Sequence, residues 1–176
     1  MSPVVRPAGE ADLPAIQAIY AHHVLTGYAS FEEEPPPVEE MARRRQALVE
    51  AGLPYLAAEW QGAVAGYAYA GPYRPRRAYR NTLEDSIYLA PGMAGRGIGR
   101  ALLAALLERA EALGFRQMVA VIGDSGNAAS IGLHAALGFT PVGVLKAVGF
   151  KHGRWVDSVL MQRALGPGDA EPPSRP

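Results

Sequence analysis

The stretch PGMAGRGIGRALL, residues 91–103, constrains this chain more than any other. Gly92, Gly95, Gly97 and Gly99 follow an apolar run, SIYLA, and lead straight into a leucine-rich one, ALLAALL. A strand that passes through glycines into a helix presents free backbone N–H groups where the helix macrodipole is positive. A phosphate suits that corner: glycine keeps side chains off the anion, and Arg96 and Arg100 add charge from the flank. The same residues also suit a tight connection whose arginines are merely solvated. Two nucleotide motifs fail on detail. A Walker loop needs Gly-Lys followed by Ser or Thr, and a dinucleotide fingerprint needs a third glycine where Leu102 stands.

Around this turn the chain reads as alternating strands and helices. MSPVVRPA predicts a first strand. EADLPAIQAIYAHHVL then puts Leu13, Ile16, Ile19, Tyr20 and Val24 on one helical face, with Asp12 as its N-cap. TGYASFEEEPPP is turn chemistry, and VEEMARRRQALVEAG is a polar helix closed by Gly52. YLAAEW and AVAGYAYAGPY flank Gln61-Gly62 as a hairpin, and EDSIYLA is a further strand. The helix after the glycines aligns Ile98, Leu102, Leu106, Ala110 and Leu113 until Gly114 stops it. RQMVAVI is an apolar strand and NAASIGLHAALGF a short helix. VGVLKAVGFK and RWVDSVLMQRAL form a closing hairpin across His152-Gly153, in which Trp155 suits either the core or an intersubunit contact. The Pro- and Gly-rich tail GPGDAEPPSRP, residues 166–176, is expected to stay disordered. Strands alternating with helices, then a terminal hairpin, describe a mixed sheet covered by helices.

Composition narrows the chemistry. The 176 residues suit one domain, and 17 Lys plus Arg balance 17 Asp plus Glu, so the chain lacks the basic field that draws a protein to nucleic acid. No cysteine is present, which removes thiolate metal sites, disulfides and any cysteine-borne covalent intermediate. No apolar stretch is long enough for a membrane span or a secretion signal, which predicts a cytoplasmic protein with no membrane partner.

AGRGIG after SIYLAP, followed by NAASIGLHAALGF, resembles the acetyl-coenzyme A binding turn and the following helix of GCN5-related N-acetyltransferases, the GNAT superfamily. GYAYAGPYRPRRAYRNTLEDSIY, LHAALGFTPVGVL and GFKHGRWVD extend the likeness to the phosphinothricin and methionine sulfone acetyltransferase branch, over about residues 4–165. The resemblance implies an α/β (α+β) GNAT fold: a mixed, mostly antiparallel central sheet flanked by helices, in a single domain at residues 1–165. It also implies acetyl-CoA as co-substrate, no metal, and a homodimer. The coenzyme diphosphate would sit on the turn amides of Gly95, Arg96, Gly97, Ile98, Gly99 and Arg100. The family turn usually opens with Gln or Arg where this chain has Ala94, which leaves the backbone to make the contact. Asn127 and Ser130 would meet the coenzyme arm, and Ile87, Tyr88 and Leu89 the thioester. Asn127 also suits an N-cap.

Transfer of acetyl to an amine needs an unprotonated nitrogen, a polarised carbonyl and a proton for the departing thiolate. Glu84 falls where the branch places its catalytic carboxylate. Neutralising an amine of pKa about 8 at pH 7 costs about 1.4 kcal/mol, against about 4.6 for a lysine. His134 stands where many members carry a tyrosine near the coenzyme sulfur. It can act as acid or as base, and a histidine of ordinary pKa near 6.5 gives its proton downhill to a thiolate whose thiol titrates near 8.5. Arg74, Arg76 and Arg80, interleaved with Tyr79 and followed by Thr82, suit, with Phe31 from an earlier segment, an acceptor with an anionic or oxidised side chain. The acceptor classes are a small amino acid analogue, such as phosphinothricin, methionine sulfoximine or methionine sulfone, or a protein or peptide amine. A coenzyme-binding module without turnover is the reading from another class.

Overall fold

The computed structural model describes residues 2–175. Seven strands form one sheet: β1 (Val4–Pro7), β2 (Tyr55–Trp60), β3 (Ala63–Pro72), β4 (Thr82–Leu89), β5 (Gln117–Gly123), β6 (Thr140–Lys151) and β7 (Arg154–Ala164). Their order is β1-β2-β3-β4-β5-β7-β6. Every neighbouring pair is antiparallel except β4 with β5. Helices α1 (Leu13–Thr26) and α2 (Val38–Glu50) cover one face. Helices α3 (Ile98–Ala112) and α4 (Ala128–Ala136) lie on the other. This is the mixed, helix-flanked GNAT sheet that the sequence resemblance implies. No helix among the described residues is long and apolar enough to cross a membrane.

Side-chain alternation divides the core in two. On the α3 side, Leu83 of β4 and Met118 of β5 pack under Ile98, Leu102, Leu103 and Leu106, all fully or nearly fully buried. On the α1–α2 side, Ile16, Ile19, Tyr20 and Val24 meet Tyr55, Ala57 and Tyr67. The predicted apolar face of α1 is therefore buried throughout. Burying a side chain of this size contributes about 1.5–3 kcal/mol, so each of these stripes is enough to hold its helix to the sheet. Both short hairpins turn through consecutive positive-φ residues, Gln61-Gly62 (53°, 80°) and His152-Gly153 (49°, 76°), the backbone twist that closes a two-residue hairpin.

Expectations for Leu113 and the tail need correction, and those for Asp12 and Trp155 are narrowed. Asp12 holds the N-cap position of α1 but makes no side-chain cap: closing a 3₁₀ turn at Glu10–Asp12, its carboxylate accepts from the Gly9 N–H (2.7 Å) and pairs with Arg6 (2.7 Å). Leu113 lies past the last turn of α3 and is 42% exposed rather than part of its buried stripe. Trp155, at 66% exposure, is not a core residue. Residues 166–175 form no helix or strand, yet they lie against the domain, because the buried Arg116 guanidinium donates to the carbonyls of Gly168 (2.9 Å) and Pro172 (2.9 Å). Arg175 stacks its guanidinium 3.8 Å from the Phe115 ring centroid.

Candidate active site

The glycine turn has the local geometry its sequence predicts. Gly92, Gly95 and Gly97 have φ of 75°, 76° and 77°, and a Cβ on any of them would meet nothing within 4 Å. Glycine is required there by backbone conformation rather than by space. Gly97 is the N-cap of α3 and supplies no side-chain cap. The first helical bond runs from Ala101 N to Gly97 O (3.0 Å), so the N–H groups of Ile98, Gly99 and Arg100 precede it. Gly99 has a different reason: its Cβ would lie 3.2 Å from Leu133, where α3 crosses α4.

The turn opens onto a split in the sheet. Pairing between β4 and β5 runs from Thr82–Gln117 to Asp85–Ala120 and stops. Beyond it Ser86–Leu89 and Val121–Gly123 diverge around a cavity of about 430 Å³. Gly95, Gly97 and Arg100 line its mouth, Ile87, Tyr88 and Leu89 one wall, Asn127, Ser130 and Leu133 another, and Asp85 with His134 its floor. Among the predicted cofactor residues two stand apart. Arg96 folds back to the Gly92 carbonyl (3.3 Å), and the Ile98 side chain is fully buried in the core, leaving only its N–H for a ligand. Asn127 is an N-cap as well as a wall residue: Oδ1 accepts from Ser130 N (3.2 Å) and Nδ2 donates to Gly123 O (3.1 Å).

Glu84 and Asp85 are consecutive on β4 and therefore face opposite sides of the sheet. Glu84 shares the α1–α2 face with Thr82, Ser86 and Tyr88, while Asp85 turns to α4 and meets His134. The two predicted catalytic side chains thus flank the strand rather than touch. Burial pushes the Glu84 carboxyl up, helped by the Asp85 charge and opposed by Arg74. His134 is 2% exposed; its Nδ1 donates to Ser130 O (2.8 Å) and its Nε2 lies 2.8 Å from Asp85 Oδ2. Burial pulls its pKa down, but the Asp85 hydrogen bond and charge and the Ser130 carbonyl outweigh that and leave it raised.

The predicted acceptor residues lie outside the cavity walls. Arg74 stacks on Tyr73 (5.2 Å), and Tyr73 meets Tyr79 edge-on (5.7 Å). Arg76 and Arg80 bracket a 3₁₀ turn at Arg77–Tyr79 ahead of β4. Phe31 belongs to the α1–α2 loop, which is fastened over the open end of the split. Its ring lies against Gly123 and Gly149, where a Cβ would stand 2.8 and 2.6 Å from ring carbons. Lys151, also buried, donates to Ser30 O (2.7 Å), Arg154 lies 3.8 Å from the Tyr28 ring centroid, and Tyr20 bonds both Ser30 and Glu32.

Sequence reasoning missed Asp85, His23 and Lys151. His23 lines the cavity from α1 and donates Nε2–H to Leu89 O (2.8 Å); burial lowers its pKa against the pull of that carbonyl, so it is neutral at pH 7. Strand alternation could have separated Asp85 from Glu84, and GFKHG already contained Lys151. No sequence signal pairs either with its partner.

Comparison with known proteins agrees with this geometry. Residues 5–160 match the model of the acetyltransferase (GNAT) domain. The chain belongs to the GNAT acetyltransferase family. It is 60% identical over 169 residues to the phosphinothricin N-acetyltransferase of Alcaligenes faecalis, covering 96% of this chain and 86% of that protein. It is 44% identical over 173 residues to the L-methionine sulfoximine/L-methionine sulfone acetyltransferase of Pseudomonas paraeruginosa, covering 98% and 100%. The crystal structure of a phosphinothricin acetyltransferase from Sinorhizobium meliloti in complex with AcCoA superposes with a TM-score of 0.96 at 52% identity, over 99% of this chain and 95% of that one. This chain is an acetyl-CoA-dependent N-acetyltransferase. The amides ahead of the first bond of α3 suit the coenzyme diphosphate, and the unpaired edge of β4 suits its amide-bearing arm. No group of acidic or histidine residues among those described could hold a metal.

Proposed function

We propose that the enzyme acetylates the amino group of a small amino acid analogue of the phosphinothricin, methionine sulfoximine or methionine sulfone type. The observation that carries the reading is the split sheet, with the helix-start amides of the glycine turn at one end of its cavity and an acid, Glu84, on the opposite face from α3 and α4. The names of the relatives support the acceptor class. Glu84 takes the amine proton, directly or through water, and its raised pKa suits a base working near neutrality. The amine nitrogen bonds to the acetyl carbon, the carbon–sulfur bond breaks, and the sulfur leaves with the electron pair. His134 serves the sulfur side, and the second proton shed by the acylated nitrogen passes through water to the thiolate. Backbone groups at Tyr88 and Leu89 orient the thioester carbonyl, and transfer is direct because no cysteine can carry the acetyl group. Arg74, Arg76, Arg80, Tyr79, Thr82 and Phe31 receive the acceptor's charged end. Arg74 already lies near enough to Glu84 to influence its proton affinity.

A thiol-release assay against amino acids, their sulfones and phosphinates, and a lysine peptide tests the acceptor. Small analogues should turn over and the peptide should not; the reverse pattern overturns the reading. Glu84→Gln should lower kcat about 10²-fold or more with coenzyme affinity unchanged, and unaltered kcat removes Glu84 as the base.

The enzyme also works as a homodimer in this reading, closing over the exposed apolar face of the last hairpin. Val142, Val144, Leu145, Val148, Phe150 and Trp155 are all exposed there. Light scattering of the wild type should give twice the 18.7 kDa chain mass, and Trp155→Asp should give the monomer; a monomeric wild type refutes the dimer.

A further inference from the structure

His134 makes a contact that its catalytic reading does not use. Its Nδ1 must carry a proton, because the Ser130 carbonyl only accepts. Its Nε2 faces Asp85 Oδ2 at 2.8 Å, and the Asp85 side chain is 1% exposed. Asp85 Oδ1 is buried with no hydrogen-bond partner. We infer that Asp85 is a positioning residue of the transfer reaction, holding His134 as a fixed imidazolium at the apex of the β4–β5 split. The inference rests on the N-acetyl-transfer reading above and adds a residue to it.

The apex is where that charge matters. Asp85 is the last β4 residue paired with β5, and an arm entering at the glycine turn runs along Leu89 to Ser86 before reaching it, about 13 Å from Leu89 at 3.3 Å per residue. An acyl end that reaches this apex would bring the sulfur, where negative charge develops, beside the pair. Both N–H groups of the ring are spent on protein acceptors, so the ring offers fixed positive charge rather than a readily released proton. A neutral ring would leave the pair with the bare Asp85 carboxylate, one negative charge next to another. The raised pKa of His134 agrees with the charged arrangement. Among the described residues Glu84 couples to the Asp85 charge, but it lies on the other face of β4. On this side of the sheet β5 presents Met118, Ala120 and Ile122, and β7 presents Val159 and Met161. Arg163 lies beyond, against Gly138, Arg100 stands at the mouth, and Glu84 faces away.

Histidine-selective NMR of the full-length wild type should show His134 doubly protonated above pH 6.5, the ordinary midpoint. Asp85→Asn should lower that midpoint by about one pH unit or more. The alkaline limb of kcat should move to lower pH with it, cutting kcat at pH 8 about tenfold, while the KM values for acetyl-CoA and amine stay within about twofold. In a His134→Gln background, Asp85→Asn should cause no further loss. A wild-type His134 titrating at or below 6.5 overturns the inference without any variant. A superimposable pH profile for Asp85→Asn, or an equal loss in both backgrounds, overturns it too. If no amine is acetylated, the functional reading fails, and the titration still decides the state of the pair.

Discussion

Replacing Gly123 with alanine tests how tightly the α1–α2 loop is clamped over the split. The new Cβ would stand 2.2 Å from the Tyr28 carbonyl oxygen and 2.8 Å from Phe31 Cε1. Real carbons approach such atoms no nearer than 3.0 Å, so the loop backbone must retreat by nearly an ångström. It cannot retreat freely, because Lys151 holds Ser30 O at 2.7 Å and Arg154 packs on Tyr28. Overpacking of this kind costs about 1–3 kcal/mol, which in a chain of this length lowers Tm by about 2–12 °C. The glycine turn lies at the other end of the cavity, so acetyl-CoA affinity should hold while KM for the amine rises about tenfold or more. Gly132→Ala is the control: its Cβ meets nothing within 4 Å on α4 and should stabilise by about 0.5–1 kcal/mol. Calorimetry and initial rates read both quantities. A Gly123→Ala enzyme with wild-type Tm and wild-type amine KM would mean that the loop is not clamped.

Two more predictions concern stability. The Arg6 hydrogen bond lowers the Asp12 pKa, opposed by burial and aided by the Gly9 N–H. A depressed carboxyl stabilises fully above its unfolded value near 3.8 and loses that contribution as pH falls through the folded value. Asp12→Asn should therefore cost about 1.5–3 kcal/mol at pH 7 in urea titrations, with the gap closing below pH 3.8; a gap independent of pH refutes the assignment. Removing residues 166–176 should lower Tm by about 2–8 °C, because the buried Arg116 loses its carbonyl acceptors. An unchanged Tm would mean that the tail contributes nothing.

Local features were legible in the sequence, and long-range partnerships were not. The glycine turn, the buried stripe of α1 and both two-residue hairpins follow from backbone permissiveness and periodicity, which act within a few residues. The split at Asp85 is a register event between β4 and β5, and register depends on tertiary packing. Asp85 finds His134 across 49 residues, and Lys151 finds Ser30 across 121. Trp155 stayed open between core and contact because an aromatic in a terminal hairpin reads the same whether its face is covered or bare. The tail misled for a related reason: its composition excludes helices and strands but not docking, since Arg116 needs only bare carbonyls.

The division of labour between the two faces of β4 bears on how such enzymes diversify. In the proposed reading the thioester is held mainly from α3, α4 and one edge of β4, whereas the loop and arginines assigned to the amine belong to other segments. Selection can remodel taste for one metabolite over another without loosening the handle on the common donor. A drift in diet among close relatives, with an unchanged grip, is what that layout favours.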